Sequence, residues 1–270
     1  MPLKSINNER VSAYADVFKA DSDVFITSSR VSDFTDILSA LEEHDPEGEI
    51  RILTDDETAK AVRRRFLVAS YLVDYIERGT VSVRRREGHL PSFVITDGAV
   101  TTITGVDETT LTVVMDDDES FVAGTRETVE EQFDTAADVS FRTPAYTGML
   151  DQLDEKLGTT MRDDVETVLS AAVETRSDET SVDPVRLSIL MGAKNEVQFY
   201  ELGNWGESTG VGSKAKFSRE KRKLEDVGLI DTEKIPKDIG RPRQRLVLGT
   251  DVDEADPVQL LGLAESVSAA

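Results

Sequence analysis

The chain has 270 residues, 39% of them apolar and 8 of them proline, enough for two folded domains of ordinary size. It has no cysteine and two histidines, His44 and His89, which excludes disulfides, cysteine-ligated zinc and thiol catalysis and argues against a histidine metal site, so no cofactor is implied. Its 53 acids against 31 bases give a formal net charge of −22, at face value the wrong sign for an anionic partner such as DNA.

The N-terminus lacks an apolar leader, and nowhere do about eighteen apolar residues run together as a membrane span requires. No membrane association and a cytoplasmic location are therefore expected. An excess of Asp and Glu with scarce Lys suits a surface bathed in molar salt, where carboxylates hold water and cations, so the acid reads as halophilic.

Over residues 1–144 strand and helix signals alternate. Val24 to Thr27 is a strand-like run, followed by Val31, Phe34, Ile37, Leu38 and Leu41 at helical spacing. Ile50 to Leu53 repeats the pattern. Thr54-Asp55-Asp56 then caps a long helix with a buried stripe of Ala59, Val62, Phe66, Ala69, Val73 and Ile76, ended by Gly79. Val81 to Val83, Phe93 to Thr96, Val100 to Thr104 and Leu111 to Met115 read as shorter strands, with Asp97-Gly98 as a hairpin turn, and a helix near Arg126 to Ala137 follows. The two strand–helix units favour parallel pairing and the hairpin forces antiparallel pairing, so an α/β domain with a mixed sheet is expected.

In residues 145–176, Leu150, Leu153, Leu157, Met161, Val165, Val168 and Ala172 recur every three or four positions, with Gly158 dividing two helices. This stripe either packs on the chain's own domains or forms the seam of a homodimer.

Residues 177–270 read as three helices and a hairpin: Val185 to Ala193 behind the cap Asp183-Pro184, Val197 to Trp205 ending at Gly206, and a helix from the cap Ser213 to Val227. The stretch Glu207 to Gly212 is the turn between the last two. Leu229-Ile230 and Leu246 to Leu248 are the strands of a wing. This order is that of a mainly α winged helix-turn-helix domain, and its expected partner is double-stranded DNA.

Charge supports that partner, because residues 213 to 245 hold eleven basic side chains against six acids. At 100° per residue Phe217, Leu224 and Val227 form the core stripe of the third helix, leaving Ala215, Ser218, Arg219 and Arg222 outward. Arginine at such a face bonds guanine O6 and N7, so Arg219 and Arg222 are the candidate base readers, while Lys214, Lys216, Lys221 and Lys223 reach phosphates. In the wing Arg241, Arg243 and Arg245 alternate with Pro242 and Gln244 and leave one face of a strand, placed to enter a narrow minor groove.

Several runs of this half, Ala193-Lys194-Asn195-Glu196, Trp205-Gly206-Glu207, Ser213 to Arg219, Leu224 to Ile230 and Gly240-Arg241-Pro242-Arg243, resemble the haloarchaeal transcriptional regulators called TrmB suppressors (TbsP-like). The resemblance is clearest over residues 150 to 250. It implies a transcription factor of sugar and gluconeogenic metabolism with a C-terminal winged helix.

For the first domain an effector is expected at the carboxyl ends of strands, where helix N-termini point donors at anions. The candidates are Thr27, Ser28, Ser29 and Arg30, joined by Arg63, Arg64, Arg84 and Arg85 from two arginine triplets, for a phosphorylated sugar or related metabolite. The triplets equally suit salt bridges to the abundant acids or a dimer interface. Asp116 to Glu119 reads as a solvated acidic loop and not a metal site. No phosphate-binding glycine loop or nucleophile beside a histidine is present, so an enzyme is not expected. The rival reading is a DNA-binding repressor or architectural protein whose first domain only dimerises.

Overall fold

The computed structural model describes residues 8–19, 23–44, 46, 48–105, 111–174, 183–236 and 243–266. They form two compact units, divided between Phe141 and Arg142.

The first unit runs α1 (Asn8–Phe18), β1 (Val24–Ser28), α2 (Val31–Glu43), β2 (Ile50–Asp55), α3 (Asp56–Arg64), α4 (Phe66–Glu77), β3 (Val81–Arg86), β4 (Phe93–Ile95), β5 (Val100–Gly105), β6 (Leu111–Asp116), α5 (Glu119–Thr135) and β7 (Ala137–Asp138). The sheet is seven-stranded and mixed, as expected, in the order β6-β5-β4-β1-β2-β3-β7. β1, β2 and β3 are parallel, with Ser28 beside Thr54 and Thr54 beside Arg85, so their carboxyl ends share one edge of the sheet. The remaining neighbours pair antiparallel.

Both sheet faces are buried, which is why β1 and β2 are nearly continuous apolar runs. On one face Phe25, Leu53, Ile95 and Val100 pack with Val122, Val129 and Phe133 of α5. Ile26 and Ile52, one residue out of step, are equally buried on the other.

Two expectations fail locally. The long helix is two, because Arg65 leaves helical geometry at φ −89° and ψ 94°. The break resets the helical phase, so Val68 and Leu72 take core positions while Phe66 and Ile76 are only half-buried. The last helix starts at Glu119, earlier than expected, because Asp118 caps it by accepting from Phe121 N at 2.9 Å. β6 is an edge strand, and Val113, Val114 and Met115 are exposed on it.

The second unit runs α6 (Tyr146–Leu157), α7 (Thr159–Glu174), α8 (Pro184–Lys194), α9 (Phe199–Thr209), α10 (Lys214–Asp226), β8 (Ile230–Ile235), β9 (Arg243–Leu248) and α11 (Pro257–Ser266). Gly158, at φ 95°, separates α6 from α7. The stripe has its occupants within the unit: Leu150, Leu153, Met161, Val165 and Val168 are all buried. α6 packs on α7 and α9, and α7 on α8 and α11. These five residues are thus covered within the unit, as the packing alternative expects, while Leu157 is half-buried. Among the described residues no helix is long and apolar enough to cross a membrane.

Candidate nucleic-acid interface

Four local devices build the helix-turn-helix. Asp183 caps α8 by accepting from Val185 N at 2.9 Å, with Pro184 in the first turn. α9 does not stop at Gly206 but continues to Thr209 and closes on Gly210, left-handed at φ 87°. Gly206 is instead the point where α9 meets α10: a Cβ there would stand well inside the van der Waals envelope of Phe217 Cε2 and Cζ. Ser213 caps α10 by accepting from Lys216 N at 3.2 Å.

Trp205, buried beside Gly206 in the sequence, donates from Nε1 to the Met149 carbonyl of α6 at 3.4 Å. The helix pair is therefore anchored to the helices that precede it.

α10 turns Phe217 and Leu224 to the core and Ala215, Ser218, Arg219 and Arg222 to solvent, as the periodicity requires. Val227 departs from the expected stripe and is 53% exposed, because the helix ends at Asp226 and Val227 lies about 60° off the core direction set by Leu224. The core flank is charged instead. Glu220 is buried and accepts from Arg186 of α8 at 3.0 Å and from Lys223 at 2.8 Å. Burial alone would raise its carboxyl, but the hydrogen bonds from Lys223 and Arg186 outweigh burial and hold it below the ordinary carboxylate range.

Lys221 is a correction to the expected phosphate contacts. Its side chain is 11% exposed, bonds Glu225 at 2.7 Å and lies over the Phe199 ring, because it sits beside the core stripe and not opposite it. Lys214, Lys216 and Lys223 do reach solvent, and each is paired: to Glu207 at 2.9 Å, Asp183 at 3.1 Å and Glu220 at 2.8 Å. Arg219 has only a loose approach to Glu220, at 3.9 Å. Among the described residues Arg222 has no ion-pair partner.

The wing strands are longer than expected, and β8 and β9 pair antiparallel with Glu233 opposite Arg245. Gly240, Arg241 and Pro242 lie outside the described residues. Arg243 and Arg245 do share a face, but it is turned to acids. Arg243 Nη1 donates to Gln198 at 2.8 Å and Glu201 at 3.1 Å. Arg245 pairs with Glu233 at 2.6 Å and Glu196 at 2.9 Å, and the Glu233 hydrogen bond raises its pKa further. Sequence reasoning missed Tyr200, 59% exposed in the first turn of α9 with the Arg243 guanidinium 5.7 Å from its ring centre. An aromatic residue beside the start of a second helix was the available signal.

The expected effector residues do not assemble. Thr27 and Ser28 are buried, and Ser28 donates to Asp33 at 2.6 Å. Asp33, in the first turn of α2, also pairs with Arg30 at 3.1 Å and Arg10 at 3.5 Å. The chain's own carboxylate thus occupies the helix N-terminus where an anion was expected. Ser29 accepts from Leu90 N at 2.7 Å. Arg84 donates to the Phe133 carbonyl at 2.8 Å and pairs with Asp138, and Arg85 pairs closely with Asp56. As neighbours on β3 these two arginines leave opposite faces. Arg63 and Arg64 lie at the other end of α3 from Asp56, bonded through Nε to carbonyls of their own helix.

No curated protein matches the chain. Among solved structures it is similar to TrmBL2, an archaeal chromatin protein whose structure shows a novel mode of DNA binding, at 18% identity and a TM-score of 0.37. That likeness covers 48% of this chain and 49% of TrmBL2, so the chain spans about half the length of that protein, and the likeness is too slight to assign a role. Two family models divide the sequence between them, the N-terminal domain of TbsP-like transcriptional regulators over residues 4–144 and their C-terminal HTH domain over residues 145–265, and the protein belongs to the TbsP-like transcriptional regulators.

Proposed function

We propose that this regulator reads a specific duplex DNA sequence and controls genes of sugar and gluconeogenic metabolism in response to a small metabolite, as a homodimer in the cytoplasm of a salt-adapted archaeon. Residues 1–144 are its sensor, 145–176 its connector and 177–270 its DNA reader. The observation that carries the reading is the outward face of α10, where a guanidinium without an ion-pair partner among the described residues, Arg222, stands beside Arg219, Ser218 and Ala215 in a chain of net charge −22. Small Ala215 and Ser218 let the helix approach the floor of a major groove, and the two arginines match guanine edges. Lys214, Lys216 and Lys223 then hold phosphates, with Arg241, Arg243 and Arg245 of the wing beside them. The metabolic setting is carried by the family alone, and the salt adaptation by the acid excess.

Dimerisation suits paired half-sites about one helical turn apart.

Selection of binding sites from random duplex DNA tests the assignment. Arg222→Ala is expected to lose about 1–3 kcal/mol at the preferred site and to relax one base position. Arg243→Ala is expected to weaken binding most at sites with an A·T-rich flank. Unchanged base preferences in both variants, with a uniform fall in affinity, would show that these arginines hold phosphates only.

A further inference from the structure

The carboxyl ends of β1 and β3, the loop that leads into β4 and one side of α5 surround a cleft of about 500 Å³. Of the residues proposed as effector contacts from the sequence, only Thr27 lines it. Two independent features mark it as a site. First, 53 of the 270 residues are Asp or Glu, yet among the described residues no carboxylate lines this cleft, whereas Arg86 and His89 do. A cleft that excludes the chain's commonest charge and keeps a guanidinium and an imidazole is shaped for an anion.

Second, Gly124 lies within α5, where glycine costs helix stability relative to alanine. Packing does not demand it: a Cβ at Gly124 would meet nothing within 4 Å, unlike one at Gly206. What the missing side chain provides is room in the cleft that Gly124 lines.

We propose that this cleft binds a small organic anion of sugar size. Its phosphate or carboxylate sits between Arg86, whose Nη1 already donates to Gln132 at 2.6 Å, and His89. Its carbon skeleton lies against Phe93 and the exposed Phe121, and its hydroxyls meet Thr125, Thr128 and Gln132. This deepens the reading of residues 1–144 as a sensor, on which it rests, and moves the site away from Arg30, Arg63 and Arg84.

The test is titration calorimetry on the full chain with a hexose monophosphate, glycerol phosphate and gluconate, against glucose and inorganic phosphate as controls for each half of the ligand. At least one of the three is expected to bind about ten-fold more tightly than either control. Arg86→Gln is expected to weaken it about ten-fold, the loss of one charge-assisted contact. Gly124→Leu is expected to abolish binding while the thermal midpoint of the free protein stays at or above that of wild type. No preference over the controls, or wild-type affinity in either variant, overturns the proposal. DNA mobility shifts with and without the bound compound separate the two readings. A ligand that occupies the cleft without altering DNA affinity keeps the cleft and removes the sensor. A ligand that alters DNA affinity equally in wild type and Gly124→Leu keeps the sensor and removes the cleft.

Discussion

Glu220→Gln is expected to destabilise the C-terminal unit by up to about 3–5 kcal/mol, because it removes the carboxylate that pairs with the buried Arg186 guanidinium. The two side chains are 4% and 9% exposed, so water cannot compensate. Arg186→Met combined with Glu220→Leu should recover most of that loss, since an apolar pair of similar volume removes the desolvation cost of both charges. The sign of the acid response follows from the lowered Glu220 pKa. Its contribution is fully present above the carboxyl's unfolded value of about 4.3 and is lost as pH falls through the lower folded value. Urea denaturation of wild type and Glu220→Gln from about pH 7 to about pH 3 should therefore show the stability gap narrowing in acid. A gap that stays constant would place the effect of the substitution in packing and not in the ion pair.

Gly206→Ala is expected to cost about 1–3 kcal/mol or more by overpacking. Phe217 is fully buried, so its ring has no free volume to retreat into when a Cβ arrives at Cε2 and Cζ. Phe217→Leu alone leaves a cavity, but in Gly206→Ala it makes room for the new methyl. The double variant should be more stable than the two single losses added together, a coupling of about 0.5–3 kcal/mol measurable by denaturation. Simple additivity would mean that α9 and α10 separate under Gly206→Ala and do not stay locked at this crossing.

The same glycine shows what the sequence could and could not tell. Gly206 reads locally as a helix stop, and only the ring across the interface reveals it as a point of close approach inside a helix. Periodicity located β1, α2, β2, the hairpin at Asp97-Gly98, the break at Gly158 and all three helices of the helix-turn-helix. α1 and α11 went unread, although Val11, Tyr14, Ala15 and Phe18 are spaced for a helix. The phase reset at Arg65 lay beyond reach, since no proline or glycine marks it.

At the site, the outward face of α10 was legible because it follows from 100° steps alone. The partners of the basic residues were not. A sequence counts charges, but which carboxylate meets Lys221 or Arg245 depends on chain segments that approach only in the folded unit. The cleft escaped for the same reason, because its lining comes from β1, the β3–β4 loop and α5 together.

The internal pairing of Lys214, Lys216, Lys223, Arg243 and Arg245 changes how added electrolyte acts on the complex. A bare cationic surface gains affinity by expelling the ions condensed on the duplex, so its affinity falls steeply as salt rises. In the proposed complex each phosphate must first displace a carboxylate, and the released carboxylate recruits a cation from solution. Ions leave the duplex and enter the protein in the same event. The slope of log affinity against log salt, read by fluorescence anisotropy, should accordingly be shallower than the number of phosphate contacts implies. Such an exchange would trade strength in dilute buffer for an affinity that persists where simple electrostatic attraction is screened away.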